Sequence, residues 1–464
     1  MRILIPILLL LHLSYNLSSQ TSDDQYSKPL SEVFTEIQKK YNVKLIYSEK
    51  DIANKYLTYA EWRFRPNIEK TLENILTPVD LIYEKKNDTL YKIKEYQYYR
   101  ISVQEGKEKT GYLAGLYNDS VSWIQRKNDL RKCMWNALEI NGIPEWPNSK
   151  PIISNERKMD GYRIMNIALE VLPGIYTFGS VYQPIKTDQK CPIILCPNGH
   201  WSDGRYRPNH QIRCAMLAKM GAIVVSYDLF AWGESELQFE TKYHRSSLAM
   251  SMQVLNSFRF LDYLISLKNS DKDRIAIVGG SGAGSHSMLI TALDDRIKVS
   301  APTVMLSSYM YGGCPCESGK PIHLCGEGTN NVELAAMAAP RPQLIISDGK
   351  DWTAHVPEIE FPYVQRIYGF FGKETLVENA HFAEEGHDFG ISKRMALYPF
   401  FAKYLSIDIQ KILNNKGEID ESSVTIEEMK SMYVLENKKK NLPENAITNF
   451  EDLENIFQNT FNVK

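Results

Sequence analysis

Three residues, in chain order, have the types and spacing for acyl-transfer chemistry: a serine, an acid and a histidine, each just past an apolar run. The serine is Ser281. The run Arg274-Ile-Ala-Ile-Val-Gly-Gly-Ser-Gly-Ala-Gly284 reads as a buried parallel strand that breaks at Gly279–Gly284, with a helix from Ser285 to Leu293. A serine crowded by small residues on a sharp strand-to-helix turn is a nucleophile elbow; glycine neighbours let the backbone turn and bring the helix close to the strand. The strict spacing is Gly-x-Ser-x-Gly. Ala283 holds the last place here and Gly284 follows, so small size is kept although the letter is not. Small-residue turns of this kind also bind phosphates, and the turn alone leaves that alternative open.

The acid and the base follow in the order this chemistry uses. The apolar run Gln343-Leu-Ile-Ile-Ser347 leads to Asp348 and Asp351, and Asp351 stands past the strand end, where ligands bind open α/β sheets. Asp348 is the weaker choice, because a residue so near the strand end tends to cap the turn. A further strand, Glu374–Asn379, leads through His381 to His387 in a glycine-containing loop, ahead of a helix near Ser392. His387 is placed to reach Ser281, and His381 to pack against the strand. His387 would take the serine proton and return it to the leaving group, and Asp351 would hold the imidazole in the right tautomer.

The upstream strands complete the site. Cys191–Cys196 reads as a buried strand running into Pro197-Asn-Gly-His-Trp201. A backbone N–H at His200 or Trp201, with that of Gly282, would stabilise a tetrahedral oxyanion. The strand Gly221–Tyr227 ends in Asp228, which is expected to be structural. Trp201, Trp232, Tyr309, Tyr311 and Trp352 all follow strand ends and present aromatic faces suited to sugar C–H groups. Arg205 is a candidate for an acidic sugar carboxylate.

The chain has 464 residues, 43% hydrophobic and 24% charged, with a net charge of -2. The length allows a large core and two folded units, and the charge gives no basis for binding nucleic acid. Met1-Arg2 and the apolar stretch Ile3–Leu13, followed by Ser18-Ser19, read as a secretory signal peptide over residues 1–20. A periplasmic or secreted protein with no membrane span after cleavage is expected. Seven cysteines leave at least one unpaired. Cys191 and Cys196 bracket one strand and stand too far apart to bond. Cys314, Cys316 and Cys325 share a loop, and a disulfide from Cys325 to one of the others is expected. Metal binding by that loop is the other reading, with no clear fourth ligand beyond His323, and no metal or cofactor is expected.

Residues 24–97 read as a small α+β domain. Leu30, Val33, Phe34, Ile37 and Tyr41 recur at helical spacing, Val43–Tyr47 reads as a strand, and Ile68, Leu72, Ile75 and Leu76 mark a second helix. Leu81–Tyr83 and Leu90–Ile93 form a hairpin. This pattern resembles the secretin and TonB N-terminal (STN) domain, and the resemblance implies a periplasmic protein partner; a packing or spacer domain is the alternative. Farther on, Asp129–Leu138 reads as a helix, Asn166–Val171 and Ile175–Tyr182 as a hairpin, and the charged stretch after Ile407 as helical, with Lys438–Lys440 a solvated face.

From about residue 110 to 450 the chain resembles the acetyl xylan esterase-like α/β-hydrolases of carbohydrate-degrading bacteria. The likeness rests on Gly199-His-Trp201, Asp271–Ser281, Leu293–Lys298, Gly312–Glu317, Ala339–Pro342, Asp351-Trp-Thr353 and Gly386-His-Asp388. It implies an α/β-hydrolase fold over residues 105–464, with a mostly parallel central sheet and a C-terminal helical extension. It also implies Ser281, His387 and Asp351 as the catalytic trio of a serine ester hydrolase acting on esterified carbohydrate, acetyl esters first. Glu317, placed where some glucuronoyl esterases carry their acid, is the reserve for Asp351. Glucuronoyl or methyl sugar esterase, prolyl-oligopeptidase-like peptidase and non-catalytic binding protein are the alternatives.

Overall fold

In the computed structural model of this chain the described residues are 27–462, apart from 54, 59, 77, 78, 80, 96–99, 187, 188 and 202. The leader read over residues 1–20 lies outside them. The chain divides into two compact units, 1–96 and 97–464.

In the small unit, the helix Leu30–Tyr41 buries Leu30, Val33, Phe34 and Ile37, the stripe its periodicity predicts. The helix Ile68–Leu76 buries Leu72, Ile75 and Leu76. Two strands not legible in the sequence, β1 (Ser27–Pro29) and β3 (Tyr56–Thr58), pair antiparallel. At three residues each they are too short to show a period. β2 (Lys44–Ile46) lies parallel to β5 (Leu90–Glu95), which forms the hairpin with β4 (Leu81–Asn87).

In the large unit one sheet contains β6 (Ile152–Lys158), β7 (Tyr162–Leu172), β8 (Ile175–Pro184), β9 (Cys191–Pro197), β10 (Ile223–Tyr227), β11 (Ser270–Gly280), β12 (Val299–Thr303), β13 (Gln343–Asp348) and β14 (Val377–Phe382). Their order is β14-β13-β12-β11-β9-β10-β8-β7-β6. β6, β7, β8 and β10 pair antiparallel in succession, and from β10 through β9 to β14 every pairing is parallel. The central strands are apolar on both faces because both are covered. Ile193, Leu195, Ile223, Val225, Ile275 and Ile277 point into a core shared with the helices Leu248–Ser266 and Gly282–Leu293. The alternate residues Ile194, Cys196, Val224, Ala276 and Val278 point into a second core with the helices Pro208–Met220 and Ile391–Leu405. The period-2 alternation of strand side chains thus divides one apolar run between two cores. Each large apolar side chain so buried contributes roughly 1.5–3 kcal/mol of transfer free energy.

Several boundaries differ from the sequence reading. The helix read over Asp129–Leu138 begins at Ser120, where Asp119 accepts from the Ser122 N–H as N-cap; the polar first half of this helix hides its start. β14 begins three residues late, at Val377, and takes His381 into the strand. The stretch after Ile407 is helical chiefly at Phe450–Phe461, with short 3₁₀ turns and irregular chain before it. It is held by buried Met432, Val434 and Leu435, not by a helical period. Cys325 bonds to Cys133 on the Ser120–Ala137 helix, and not to a cysteine of its own loop. The remaining five cysteines are buried and outside any disulfide, Cys191 and Cys196 among them. Among the described residues no helix is long and apolar enough to cross a membrane.

Candidate active site

Ser281 sits between β11 and the helix Gly282–Leu293 at φ 58° and ψ -130°. A non-glycine residue in the positive-φ region is strained. The surroundings hold it there: its N–H donates to the Thr303 carbonyl at 3.1 Å, and its carbonyl accepts from the Gly284 N–H at 2.6 Å. The small neighbours are sterically required. A Cβ on Gly279 would fall 2.5 Å from the Ala283 carbonyl oxygen, and one on Gly284 would fall 2.8 Å from that of Thr303. The elbow therefore clamps the helix directly on β11 and β12. Ser281 opens onto a cavity of about 270 Å³ whose wall includes Trp232, Arg245, Glu317 and Trp352.

Asp351 and His387 meet. His387 Nδ1 lies 2.8 Å from Asp351 Oδ2, and the Asp351 side chain is 2% exposed. The other oxygen, Oδ1, accepts from the Thr353 N–H at 2.6 Å and from Thr353 Oγ1 at 2.5 Å. The carboxylate is thus fixed on one side by the turn after β13 and presents its free side to the imidazole. The His387 ring packs on Trp352, centroids 4.2 Å apart, and faces Trp201 at 6.3 Å. Trp352 lines the Ser281 cavity, and the Trp201 ring edge would be 3.2 Å from a Cβ on Gly280, next to Ser281. These two rings connect the imidazole to the serine. Among the described residues Ser281 Oγ makes no hydrogen bond. Such bonds are often long until substrate tightens the site.

The other candidates have different partners. His381 packs as expected, Nδ1 2.9 Å from Ser347 Oγ. Asp348 is buried and paired with Lys393 at 3.1 Å. Burial pushes its carboxyl up to about 6, against the pull of Lys393. Glu317 is buried, accepts from Ser285 Oγ at 3.0 Å and stands 3.3 Å from His200 Nδ1; among the described residues it makes no hydrogen bond or ion pair with His387. Burial raises its carboxyl and His200 opposes the rise. The backbone N–H groups of His200, Trp201 and Gly282 find no acceptor among the described residues, which leaves them free for an oxyanion.

Two sequence-predicted substrate residues are corrected by the structure. Arg205 is 0% exposed. Its guanidinium is bound by Asp228 at 2.8 Å, Glu234 at 2.9 Å, Ser180 Oγ at 2.7 Å and the Met432 carbonyl at 2.8 Å, which use four of its five donors, and full burial closes the group to a ligand. Asp228 is the structural partner expected, its carboxyl pushed to about 6 by burial against the Arg205 charge. Tyr309 is buried at 3% exposure, with its ring against His355 and Arg100 and off the cavity wall. Tyr311 is likewise buried, against His323. Of the proposed aromatic residues, Trp232 and Trp352 line the cavity and Trp201 lies behind it against His387.

Sequence reasoning missed several residues of the wall, two of them able to carry charge. His244 and Arg245 follow β10 in a short 3₁₀ turn that carries no motif. Arg245 is exposed and has no ion-pair partner among the described residues.

The chain is 46% identical to the solved structure of methylesterase BT1017, over 96% of this chain and 99% of that one, with a TM-score of 0.74. It belongs to the family of that methylesterase. This esterase is therefore a carboxylic ester hydrolase built on a carbohydrate esterase-like α/β-hydrolase fold. Hydrolase YtaP of Bacillus subtilis strain 168 is 27% identical over 132 residues, which span 25% of this chain and 44% of that protein. The structure described as an acetyl xylan esterase from Bacteroides fragilis is 18% identical, over 57% of this chain and 76% of that one, with a TM-score of 0.45. No model of a known protein family matches the chain.

Proposed function

We propose that this esterase removes methyl groups from esterified carboxyls of acidic carbohydrate by a Ser281–His387–Asp351 mechanism. The observation that carries the reading is the shared wall. Ser281 opens on a cavity lined by Trp352, whose ring packs on the Asp351-bound His387. His387 Nε2 takes the Ser281 proton as Oγ attacks the ester carbonyl, and the carbonyl oxygen becomes an oxyanion. The N–H groups of Gly282 and of Trp201 or His200 donate hydrogen bonds to that oxygen. As the tetrahedral species collapses, the C–O bond to the leaving alcohol breaks and His387 returns the proton to it. A water then repeats the sequence on the acyl-enzyme and frees the acid and Ser281.

Methyl is placed ahead of acetyl for two reasons. The 46%-identical relative is named a methylesterase, and the unpaired Arg245 guanidinium in the cavity wall suits the free carboxylate of a neighbouring acidic sugar. The test incubates the protein with oligouronides carrying methyl esters, acetyl esters or both, and assays methanol and acetate. Methanol release that Ser281→Ala abolishes is expected. Acetate alone would overturn the methyl assignment, and full activity in Ser281→Ala would overturn the serine mechanism. A secreted or periplasmic location belongs to the same reading, as does a partner-docking role for the small STN-like unit.

A further inference from the structure

Beside the catalytic cavity four ligand-type side chains converge. His200, His244, Cys314 and Cys316 each offer one ligand atom, and these atoms lie within 4.8 Å of one another. His200 Nε2 is 2.9 Å from His244 Nε2 and 3.1 Å from Cys316 Sγ. A zinc ion with two imidazoles at about 2.0–2.1 Å and two thiolates at about 2.3 Å has ligand–ligand edges of about 3.3–3.8 Å, so shifts of a few tenths to an ångström close the tetrahedron. The sequence reading weighed metal binding only as the alternative for the loop of Cys314, Cys316, Cys325 and His323. Cys325 is bonded to Cys133, and His323 faces Asn331; the set that converges comes instead from three separate loops.

The outer partners fix which nitrogens point inward. His244 Nδ1 lies 2.7 Å from the Phe230 carbonyl, which can only accept, so Nδ1 carries a proton and Nε2 of the neutral ring is the bare nitrogen. His200 Nδ1 faces Glu317 Oε1 at 3.3 Å. Metal-bound histidines characteristically donate their other N–H to a carbonyl or a carboxylate, and here one does each. With Nδ1–H turned to Glu317, a neutral His200 has a second bare Nε2, which would face the bare Nε2 of His244 at 2.9 Å. A proton or a metal cation must lie between the two rings, and two sulfurs meet at the same point, where a metal would gain four ligands and a proton only two. Neither Cys314 nor Cys316 is in a disulfide, although the chain forms one elsewhere.

We propose that His200, His244, Cys314 and Cys316 bind one zinc ion in a closed, structural site. Soft sulfur with imidazole in a four-ligand set selects zinc, and with no open position the ion does no chemistry on substrate. It acts through position. His200 belongs to the loop that supplies the oxyanion N–H groups, and its ring lies 2.6 Å from where a Cβ on Gly282 would be. The ion therefore ties that loop, the turn bearing His244 and Arg245, and the loop after β12 against the nucleophile elbow.

The test measures metal in the purified full chain by mass spectrometry. About one zinc per chain is expected, retained through gel filtration and lost in the Cys314→Ser, Cys316→Ser double variant, together with a lower thermal midpoint. Cobalt loaded into the metal-stripped protein is expected to show thiolate-to-cobalt charge-transfer absorption; this readout holds even if the double variant fails to fold. The proposal is overturned by wild-type protein that neither carries zinc nor takes it up from added zinc chloride, by cobalt binding without a thiolate band, or by a Cys314–Cys316 disulfide in the peptide map. Ser281→Ala protein is expected to hold the same zinc, so failure of the metal site and failure of the esterase reading are distinguishable.

Discussion

Asp351→Asn is the perturbation whose consequence follows most directly from the geometry. Oδ1 of Asp351 accepts two donors, the N–H and the hydroxyl of Thr353, at 2.6 and 2.5 Å, while Oδ2 receives His387 Nδ1 at 2.8 Å. The new carboxamide has one oxygen and one NH₂. If the oxygen stays on Thr353, the NH₂ faces His387, which must then offer a bare Nδ1 and carry its proton on Nε2. In that tautomer the imidazole cannot accept the Ser281 proton. The flipped amide would restore the tautomer but set NH₂ against both Thr353 donors. Two hydrogen bonds at about 1 kcal/mol each favour the unproductive orientation by about thirty to one. The productive remainder also lacks the negative charge that stabilises the imidazolium, and the wrong tautomer in a serine triad costs about 10⁴ in kcat. We expect kcat to fall by about 10³–10⁴, or about 4–5.5 kcal/mol of transition-state stabilisation, with KM and the thermal midpoint little changed. The assay is initial rate on an aryl ester, with circular dichroism to confirm folding. Glu317→Gln is the control, since Glu317 meets Ser285 and His200 and not His387, and it is expected to lose less. A folded Asp351→Asn protein within tenfold of wild type, or a larger loss from Glu317→Gln, would refute the reasoning.

Arg205→Met leaves Asp228 and Glu234 buried without their cation and is expected to cost about 3–5 kcal/mol of stability at pH 8, read by denaturant unfolding. Because burial already holds Asp228 at about 6, above its unfolded value, native Asp228 binds a proton that unfolded Asp228 releases, and its contribution to stability falls as pH rises from about 4 to 6. Loss of Arg205 extends that window upward, so the variant's deficit is expected to be smaller at pH 5 than at pH 8; an equal deficit at both would contradict the account. Cys133→Ser opens a cross-link between residues 192 apart in sequence and is expected to cost about 2–5 kcal/mol, with wild type in reductant falling to the same midpoint. Arg245→Gln is expected to raise KM about tenfold for methyl esters on acidic oligosaccharides and to leave neutral aryl esters unchanged; equal effects on both would remove Arg245 from carboxylate recognition.

The large sheet was legible because its central strands are apolar runs closed by turn-forming residues, Pro197-Asn-Gly199 after Cys191–Cys196 and Asp348-Gly349 after Gln343–Ser347. The elbow was legible because close packing and positive φ confine residue choice to small side chains on either side of Ser281. Where neither constraint operates the signal fades. The first half of the Ser120–Ala137 helix is polar and held by a cap, and the chain from Ile407 to Asn449 is anchored by single residues that reach the core without a period.

Charged residues mark the deeper limit of sequence reading. Arg205 follows a strand end by eight residues in a turn of small and polar neighbours, a place equally suited to meeting a substrate or to being locked away. Which of the two occurs is decided by Glu234, 29 positions on, and by the Met432 carbonyl, 227 positions on. The same holds in reverse for His200, read for its backbone N–H alone. Its side chain has work only because His244 and the pair Cys314 and Cys316 arrive from loops 44 and about 115 residues away. Local pattern locates the strained turn at Ser281 because its strain is local. It does not locate a site assembled by tertiary contact, and for that the one sequence trace here is Cys314-Pro-Cys316, two thiols one residue apart in a chain that pairs its other loop cysteine elsewhere.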